Sequence, residues 1–242
     1  MADDGFENPR LAALYDPLDP DRSDLAVYAG MAAEFGARSV LDIGCGTGTL
    51  CCVLACLGFD VVGLEPALAS LEIARSKPYA DRVRWVQGTV ASLAPSLRVD
   101  LVTMTANVAQ VFLTEPSWES VLAAANAALR PGGRLVFETR NPARAAWRSW
   151  DRAHTFVRAD VAGVGGVTTW QDLLDVDGEC VTFRSTTTFD SDGATLTSDS
   201  TLRFRTGDAV SESLSAAGFT VDEIRDAPDR PGRELVFVAT RE

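Results

Sequence analysis

Val40-Leu41-Asp42-Ile43-Gly44-Cys45-Gly46-Thr47-Gly48 decides how the rest of this chain is read. Its aliphatic start predicts a buried strand end, and glycines at 44, 46 and 48 predict a tight turn. Residues 47–57 then predict a helix, stopped by Gly58. Glycine accepts a positive φ and lets a ligand approach the backbone with no Cβ in the way. The N-terminus of the following helix offers free N–H groups and a partial positive charge to an anionic group. Strand, glycine turn and helix together read as a nucleotide-type binding loop at the end of a first strand.

Outward from the loop, residues 59–65 predict a second short apolar strand that ends in Glu65. Pro66 then falls in the first turn of a helix over 67–75. In doubly wound sheets an acid roughly twenty residues after the loop accepts hydrogen bonds from ribose hydroxyls, so Glu65 predicts an adenosine ligand. A third strand is predicted over 83–87, leading into Gly88-Thr89-Val90-Ala91, and a fourth over 99–105, leading into Ala106-Asn107-Val108-Ala109-Gln110. A helix over 116–129 closes in Leu129-Arg130-Pro131-Gly132-Gly133, and a fifth strand follows over 134–139. The proline ends that helix, and the glycines permit a sharp turn into the strand.

A dinucleotide fingerprint, G-x-G-x-x-G, would place its third glycine at position 49, which is Thr49. Asp42-x-Gly44-x-Gly46-x-Gly48 instead resembles the first motif of the class I S-adenosylmethionine-dependent methyltransferases. The L-R-P-G-G helix end and the order of the strands resemble the same family over residues 39–140. The resemblance implies an α/β, Rossmann-like, doubly wound sheet of seven strands in the order 3-2-1-4-5-7-6, with S-adenosyl-L-methionine as cofactor. It implies that Gly44, Gly46 and Gly48 hold the aminocarboxypropyl end, Asp42 the loop and the ammonium, and Glu65, with Pro66 beside it, the ribose. Thr89 and Val90 fall to the adenine; the family usually has an aspartate at the position of Thr89, so the backbone of Val90 is the contact that survives. Thr105 falls at the cofactor end of strand four, and Asn107 and Gln110 are the polar side chains nearest the transferred methyl. Gln110 reads equally well as helix surface.

The acceptor would enter from the carboxyl ends of strands four and five, walled by Tyr15, Gln110, Arg140 and Asn141. A neutral amine attacks unaided, whereas a hydroxyl needs a base. Two candidates are His154, the sole histidine, and Glu138 at the end of strand five, whose alternative role is a cap or an ion pair with Arg140.

Before the sheet, Asn8-Pro9 predicts a capped helix over 10–15, Asp16-Pro17-Leu18-Asp19-Pro20 a break, and residues 21–35 a second helix stopped by Gly36. After strand five the pattern changes. Thr- and aromatic-rich alternating runs over 168–174, 180–189 and 195–204, separated by Asp177-Gly178 and Asp192-Gly193, predict an antiparallel β insertion. A helix over 208–217 and strands over 219–224 and 234–240 resume the first pattern. The expected organisation is an N-terminal helical cap over 1–38, a cofactor-binding domain over 39–153 and 206–242, and the insertion over 154–205. The insertion would either cover the acceptor or build a homodimer. In length and layout the chain resembles the amino-sugar N-methyltransferases, which modify small molecules.

With 46% hydrophobic and 23% charged residues, the 242-residue chain has the composition of an ordinary globular protein. No run of eighteen apolar residues is present, and the acidic N-terminus lacks a signal-peptide core, so a cytoplasmic protein off the membrane is expected. A net charge of −12 argues against a nucleic-acid partner. The five cysteines fit no common zinc spacing and predict small buried thiols, with no metal site. Two other functions share the loop. A nicotinamide-dependent oxidoreductase would need the missing third glycine and a Tyr/Lys or His catalytic set, and a non-catalytic S-adenosylmethionine-binding protein would keep the loop without an acceptor pocket.

Overall fold

The computed structural model describes residues 3–242. Four helices lead: α1 (Asp4–Glu7), α2 (Pro9–Ala12), α3 (Tyr15–Leu18) and α4 (Asp24–Glu34). They are followed by β1 (Ser39–Ile43), α5 (Thr49–Cys56), β2 (Asp60–Glu65), α6 (Leu68–Ser76), β3 (Val83–Gln87), β4 (Val99–Met104), α7 (Glu115–Ala128) and β5 (Leu129–Arg140). Next come α8 (Arg152–Thr155) and the insertion strands β6 (Val157–Val161), β7 (Gly165–Asp177), β8 (Cys180–Phe189) and β9 (Thr195–Arg203). The chain closes with α9 (Gly207–Ala216), β10 (Phe219–Asp226) and β11 (Glu234–Arg241).

The main sheet has seven strands in the order β10-β11-β5-β4-β1-β2-β3. Strands β1 to β5 run parallel, and β11 enters antiparallel to β5 and β10. Counted as core strands, this is the expected 3-2-1-4-5-7-6 arrangement.

Period-two alternation splits the core between the faces. Leu41, Val102, Phe137 and Phe237 point to one side, with Trp118, Leu122 and Leu214 of α7 and α9. Val40, Leu101, Val136 and Val236 point to the other, with Leu25, Tyr28 and Ala32 of α4 and Leu50 and Leu54 of α5. The same alternation carries Asp42, Thr103, Glu138 and Glu234 onto the α4/α5 side, each two residues along from one of those aliphatics.

The insertion is a four-stranded antiparallel sheet, β6-β7-β8-β9. Its first strand is absent from the sequence expectation because β6 is mostly exposed and carries no clean alternation. Helices α1 and α2 bridge insertion and sheet. Ser198 Oγ accepts the Gly5 N–H at 2.8 Å, Arg10 pairs with Asp192 at 2.9 Å, and Ser70 Oγ donates to the Phe6 carbonyl at 2.9 Å. Leu14 joins Val161, Val167 and Phe189 in a small third core.

Other boundaries differ from expectation. The helix capped by Asn8 ends at Ala12, and the predicted break instead contains α3, where Pro17 lies in the first turn and no N–H partner is needed. Gly48 stays left-handed, so α5 begins at Thr49, and Pro66 lies just outside α6, before the cap residue Ala67. Leu129-Arg130-Pro131-Gly132-Gly133 is part of β5, looped out so that Val99 faces Leu129 while Leu101 faces Arg134. Among the cysteines, Cys51 and Cys52 are buried, but Cys45 and Cys180 are half-buried and Cys56 is exposed. Among the described residues no helix is long and apolar enough to cross a membrane.

Candidate active site

The carboxyl ends of β1, β2, β4 and β5 converge on one edge of the sheet, with the glycine turn at its centre. The Gly44 and Cys45 N–H groups both donate to the Leu64 carbonyl, at 2.8 and 3.1 Å, which pins the turn against β2. Gly46 has φ 52°, and a Cβ there would meet no heavy atom within 4 Å, so one face of the turn is open. Gly48 is different: a Cβ would come within 2.5 Å of the Trp85 ring and 2.7 Å of Ala74 Cβ, so this glycine serves packing. Glu65 is buried, and its two oxygens accept from the Gly46 and Ala67 N–H groups, each at 2.9 Å. Burial pushes its pKa up, against those two hydrogen bonds.

Asp42 lies beneath the turn, fully buried. Its carboxylate accepts from Thr103 Oγ1 at 2.7 Å and from Cys51 Sγ at 3.5 Å, and burial raises its pKa to about 6. Thr89 is exposed at the end of β3, makes no side-chain cap bond, and leads into the short turn of Val90–Ser92. Thr105 is buried just past β4. An open-sided glycine turn hydrogen-bonded directly to an acid fits an adenosine cofactor with an anionic tail.

Beyond β4 the backbone is strained: Ala106 and Asn107 both have left-handed φ, 55° and 63°. Asparagine tolerates this conformation, but alanine does not, and such strain gathers at functional sites. The twist aims the Asn107 N–H at Glu138 Oε1 (3.3 Å) and its Nδ2 at Glu234 Oε1 (2.9 Å). Glu138 Oε2 also accepts from the Tyr28 hydroxyl, and Arg230 pairs with Glu234 Oε1 at 2.8 Å. Burial pushes the Glu138 pKa up to about 7; the neighbouring Glu234 adds to the rise and Arg230 opposes it. The partners of Glu138 are therefore a hydroxyl and a backbone amide, and the suggested ion pair with Arg140 does not form.

Arg140 instead donates to Gln110 Oε1 at 2.9 Å and lies 5.8 Å from the Trp150 ring centroid. Gln110 is fully buried rather than on a helix surface, and its Nε2 reaches the Arg203 carbonyl at 3.4 Å. Tyr15 packs against Phe6 with ring centroids 5.8 Å apart, and burial raises its hydroxyl pKa. Asn141 caps the following turn by accepting from the Ala143 N–H at 3.0 Å. His154 lies apart from this network. Its side chain is 66% exposed, and its ring pairs with Asp151 at 2.8 Å.

Sequence reading thus reached Asn107, Glu138, Gln110 and Arg140 but missed Glu234, Arg230 and the Tyr28 hydroxyl. Tyr28 reads as core on its helix face, and Glu234 as the first residue of a strand. Only the antiparallel pairing of β11 with β5, which sets Glu234 opposite Arg140 and Val236 opposite Glu138, brings them together.

Residues 40–133 match the family model described as a methyltransferase domain. The ubiquinone biosynthesis O-methyltransferase of Pectobacterium carotovorum subsp. carotovorum (strain PC1) is 36% identical over 127 residues, 50% of this chain and 51% of that protein. The cypemycin N-terminal methyltransferase of a Streptomyces species is 33% identical over 121 residues, 49% of each. The chain spans about half the length of the curated relatives it matches. The sugar N-methyltransferase KedS8 from Streptoalloteichus sp. ATCC 53650 shares the fold, with a TM-score of 0.75 over 94% of this chain and 92% of that one at 20% identity. Residues 40–133 carry a methyltransferase domain of the class I S-adenosylmethionine-dependent kind.

Proposed function

We propose that this chain transfers a methyl group from S-adenosylmethionine to a nitrogen or oxygen atom of a small molecule such as a sugar, an amine or a secondary metabolite. The observation that carries this reading is the match of residues 40–133 to a methyltransferase domain, with the open-sided Gly46 and the acid Glu65 at its centre. Relatives named for O-methylation and for N-terminal methylation keep both acceptor atoms open, and the fold shared with a sugar N-methyltransferase supports a small acceptor.

In this reading Gly44 and Gly46 hold the aminocarboxypropyl end, Gly48 shapes the turn by packing under Trp85, Asp42 braces the loop from beneath, Glu65 with Pro66 takes the ribose, and Thr89, Val90 and Thr105 line the rest of the cofactor cleft. When bound, the sulfonium supplies a methyl carbon open to in-line attack. The chain's own contribution is chiefly alignment, and a well-held near-attack pair supplies roughly 7–11 kcal/mol of such a barrier. Tyr15, Gln110, Arg140 and Asn141 wall the acceptor side, and Asn107 fixes the reacting end through Glu138 and Glu234. Glu138, with its pKa raised to about 7, is placed to take a proton near neutral pH, whereas His154 is left at the surface.

Helices α1–α3 act as the cap over this edge, and the insertion flanks the acceptor entrance or forms a dimer contact. Transfer of labelled methyl from S-adenosylmethionine to a panel of small amines, amino sugars and phenols tests the proposal. Label in a small-molecule product is expected. Cofactor binding without transfer to any member would favour a binding protein over an enzyme.

A further inference from the structure

Among the described residues, two hydrogen-bond acceptors beside Glu138 have nothing to accept from. Asn107 is 3% exposed and Glu234 is 2% exposed, yet Asn107 Oδ1 and Glu234 Oε2 have no hydrogen-bond partner among the described residues. Buried polar atoms are rarely left so, and each such atom points to something that supplies a donor. The two atoms belong to one linked unit, because Asn107 Nδ2 donates to Glu234 Oε1 at 2.9 Å. The same asparagine contacts Glu138 through its backbone N–H at 3.3 Å.

Glu138 adds a second, independent feature. It is a buried carboxylate whose partners are the Tyr28 hydroxyl and the Asn107 N–H, with no cation in salt-bridge contact among the described residues. Arg230 is spent on Glu234, and Arg140 turns to Gln110. A buried carboxylate without a cation is costly unless a ligand brings one.

We propose that Asn107, Glu234 and Glu138 form the seat of a protonated amine, so that the acceptor is a small molecule presenting a primary or secondary basic nitrogen rather than a hydroxyl. The inference rests on the methyltransferase reading above. A hydroxyl offers one donor and no charge, whereas a primary ammonium offers three N–H donors and a secondary one two. A primary ammonium gives one N–H each to Asn107 Oδ1, Glu234 Oε2 and Glu138, whereas a secondary one gives one to Glu138 and the other to Asn107 Oδ1 or Glu234 Oε2; in both cases Glu138 receives the proton.

The chemistry balances. The ammonium passes one proton to the Glu138 carboxylate, which becomes a neutral acid, and the nitrogen keeps the electron pair of the broken N–H bond. That pair forms the new N–C bond as the S–C bond breaks and its electrons remain on sulfur, so the positive charge moves to the methylated nitrogen. The groups facing Glu138 are Glu234 and Arg230 from the β11 side, Arg140 along β5, Tyr28 from α4, and Asn107. Burial raises the proton affinity of Glu138 most, Glu234 adds to the rise and Arg230 opposes it, leaving Glu138 poised near neutrality.

The test is calorimetric titration of the full chain, loaded with S-adenosylhomocysteine, with benzylamine and with benzyl alcohol as a matched pair. At neutral pH the amine is expected to bind tighter than the alcohol by on the order of tenfold or more. Glu234→Gln is expected to bring the pair to within about twofold while S-adenosylhomocysteine still binds as before. Equal binding of the pair by the native chain, binding of neither, or a preference retained in Glu234→Gln would overturn the amine seat while leaving the cofactor reading intact. Failure of S-adenosylhomocysteine to bind the native chain would strike the methyltransferase reading itself. Should Glu234→Gln lose the fold, Asn107→Leu is read by the same criterion.

Discussion

Glu65 Oε2 accepts the Gly46 N–H at 2.9 Å, so the acid that closes β2 is tied directly to the glycine turn that follows β1. Its other oxygen holds the Ala67 N–H at the same distance, and one side chain therefore fixes two backbone segments around the cofactor edge.

Replacing Glu65 by alanine removes both acceptors. The buried Ala67 N–H left unpaired costs about 1–3 kcal/mol, and the half-buried Gly46 N–H costs less. Glu65→Ala is expected to lower S-adenosylmethionine affinity by roughly tenfold to a hundredfold and to melt earlier than the native chain. Calorimetry and a thermal melt check both, and unchanged affinity would remove Glu65 from the cofactor site.

Ala106 stores strain at φ 55° immediately after β4. Glycine adopts this conformation freely, so Ala106→Gly is expected to stabilise the fold by about 1 kcal/mol and to lower turnover by loosening Asn107. Chemical denaturation together with a turnover assay separates the two effects. A destabilised Ala106→Gly would contradict the strain assigned to this residue.

Glu138 titrates in the folded chain at about 7, above the ordinary carboxylate value of 4.5. The fold thus favours the protonated form. The penalty is absent below the unfolded pKa, grows as pH rises from about 4.5 to 7, and is complete above that, reaching on the order of 3 kcal/mol. In the cofactor-free chain, Glu138→Gln should therefore gain melting temperature relative to native as pH rises across this window, and methyl transfer should fall. A pH-independent difference in melting temperature would show that Glu138 is not held protonated by the fold.

Asp16 fastens the N-terminal helices to the glycine loop. Its carboxylate accepts from Thr47 Oγ1 at 2.8 Å and Thr49 Oγ1 at 3.1 Å and pairs with Lys77 at 2.7 Å. Burial pushes its pKa up, but the bonds from Lys77 and Thr47 prevail and hold it below the usual range. The contribution to stability is present above the ordinary carboxylate pKa and is lost as pH falls through the lowered value. Lys77→Ala is expected to speed amide exchange across residues 3–20 by roughly threefold to tenfold, and unaltered exchange would refute the fastening.

The main sheet was legible in the sequence because each strand announces itself locally, by an aliphatic run, by Glu65 at its end, or by the Gly44-x-Gly46-x-Gly48 turn. The glycine turn and Glu65 beside it were legible for the same reason, since they lie next to those strand ends. Strand β6 was not, because an edge strand of mostly exposed residues such as Val157 and Arg158 lacks the two-residue period that burial imposes. Nor was the partnership of Glu138 with Glu234, which are 96 residues apart in sequence and meet only through the pairing of β5 with β11. Helix α3 was hidden by Pro17, whose effect depends on falling in a first turn. The exposure of His154 likewise depends on how α8 lies on the insertion, which no local pattern records.

Gly46 is where the cofactor claim is tested most directly, since a side chain there enters open space and costs only about 1–2 kcal/mol of left-handed backbone strain at φ 52°. Calorimetric titration of the native chain and of Gly46→Arg with S-adenosylmethionine, S-adenosylhomocysteine and NAD(P)H is the decisive measurement. Binding of the first two by the native chain, no binding of the nicotinamide, and loss of both by Gly46→Arg in a protein that still melts cooperatively is the predicted result. Binding of NAD(P)H alone, or undiminished binding of S-adenosylmethionine by Gly46→Arg, would contradict the account.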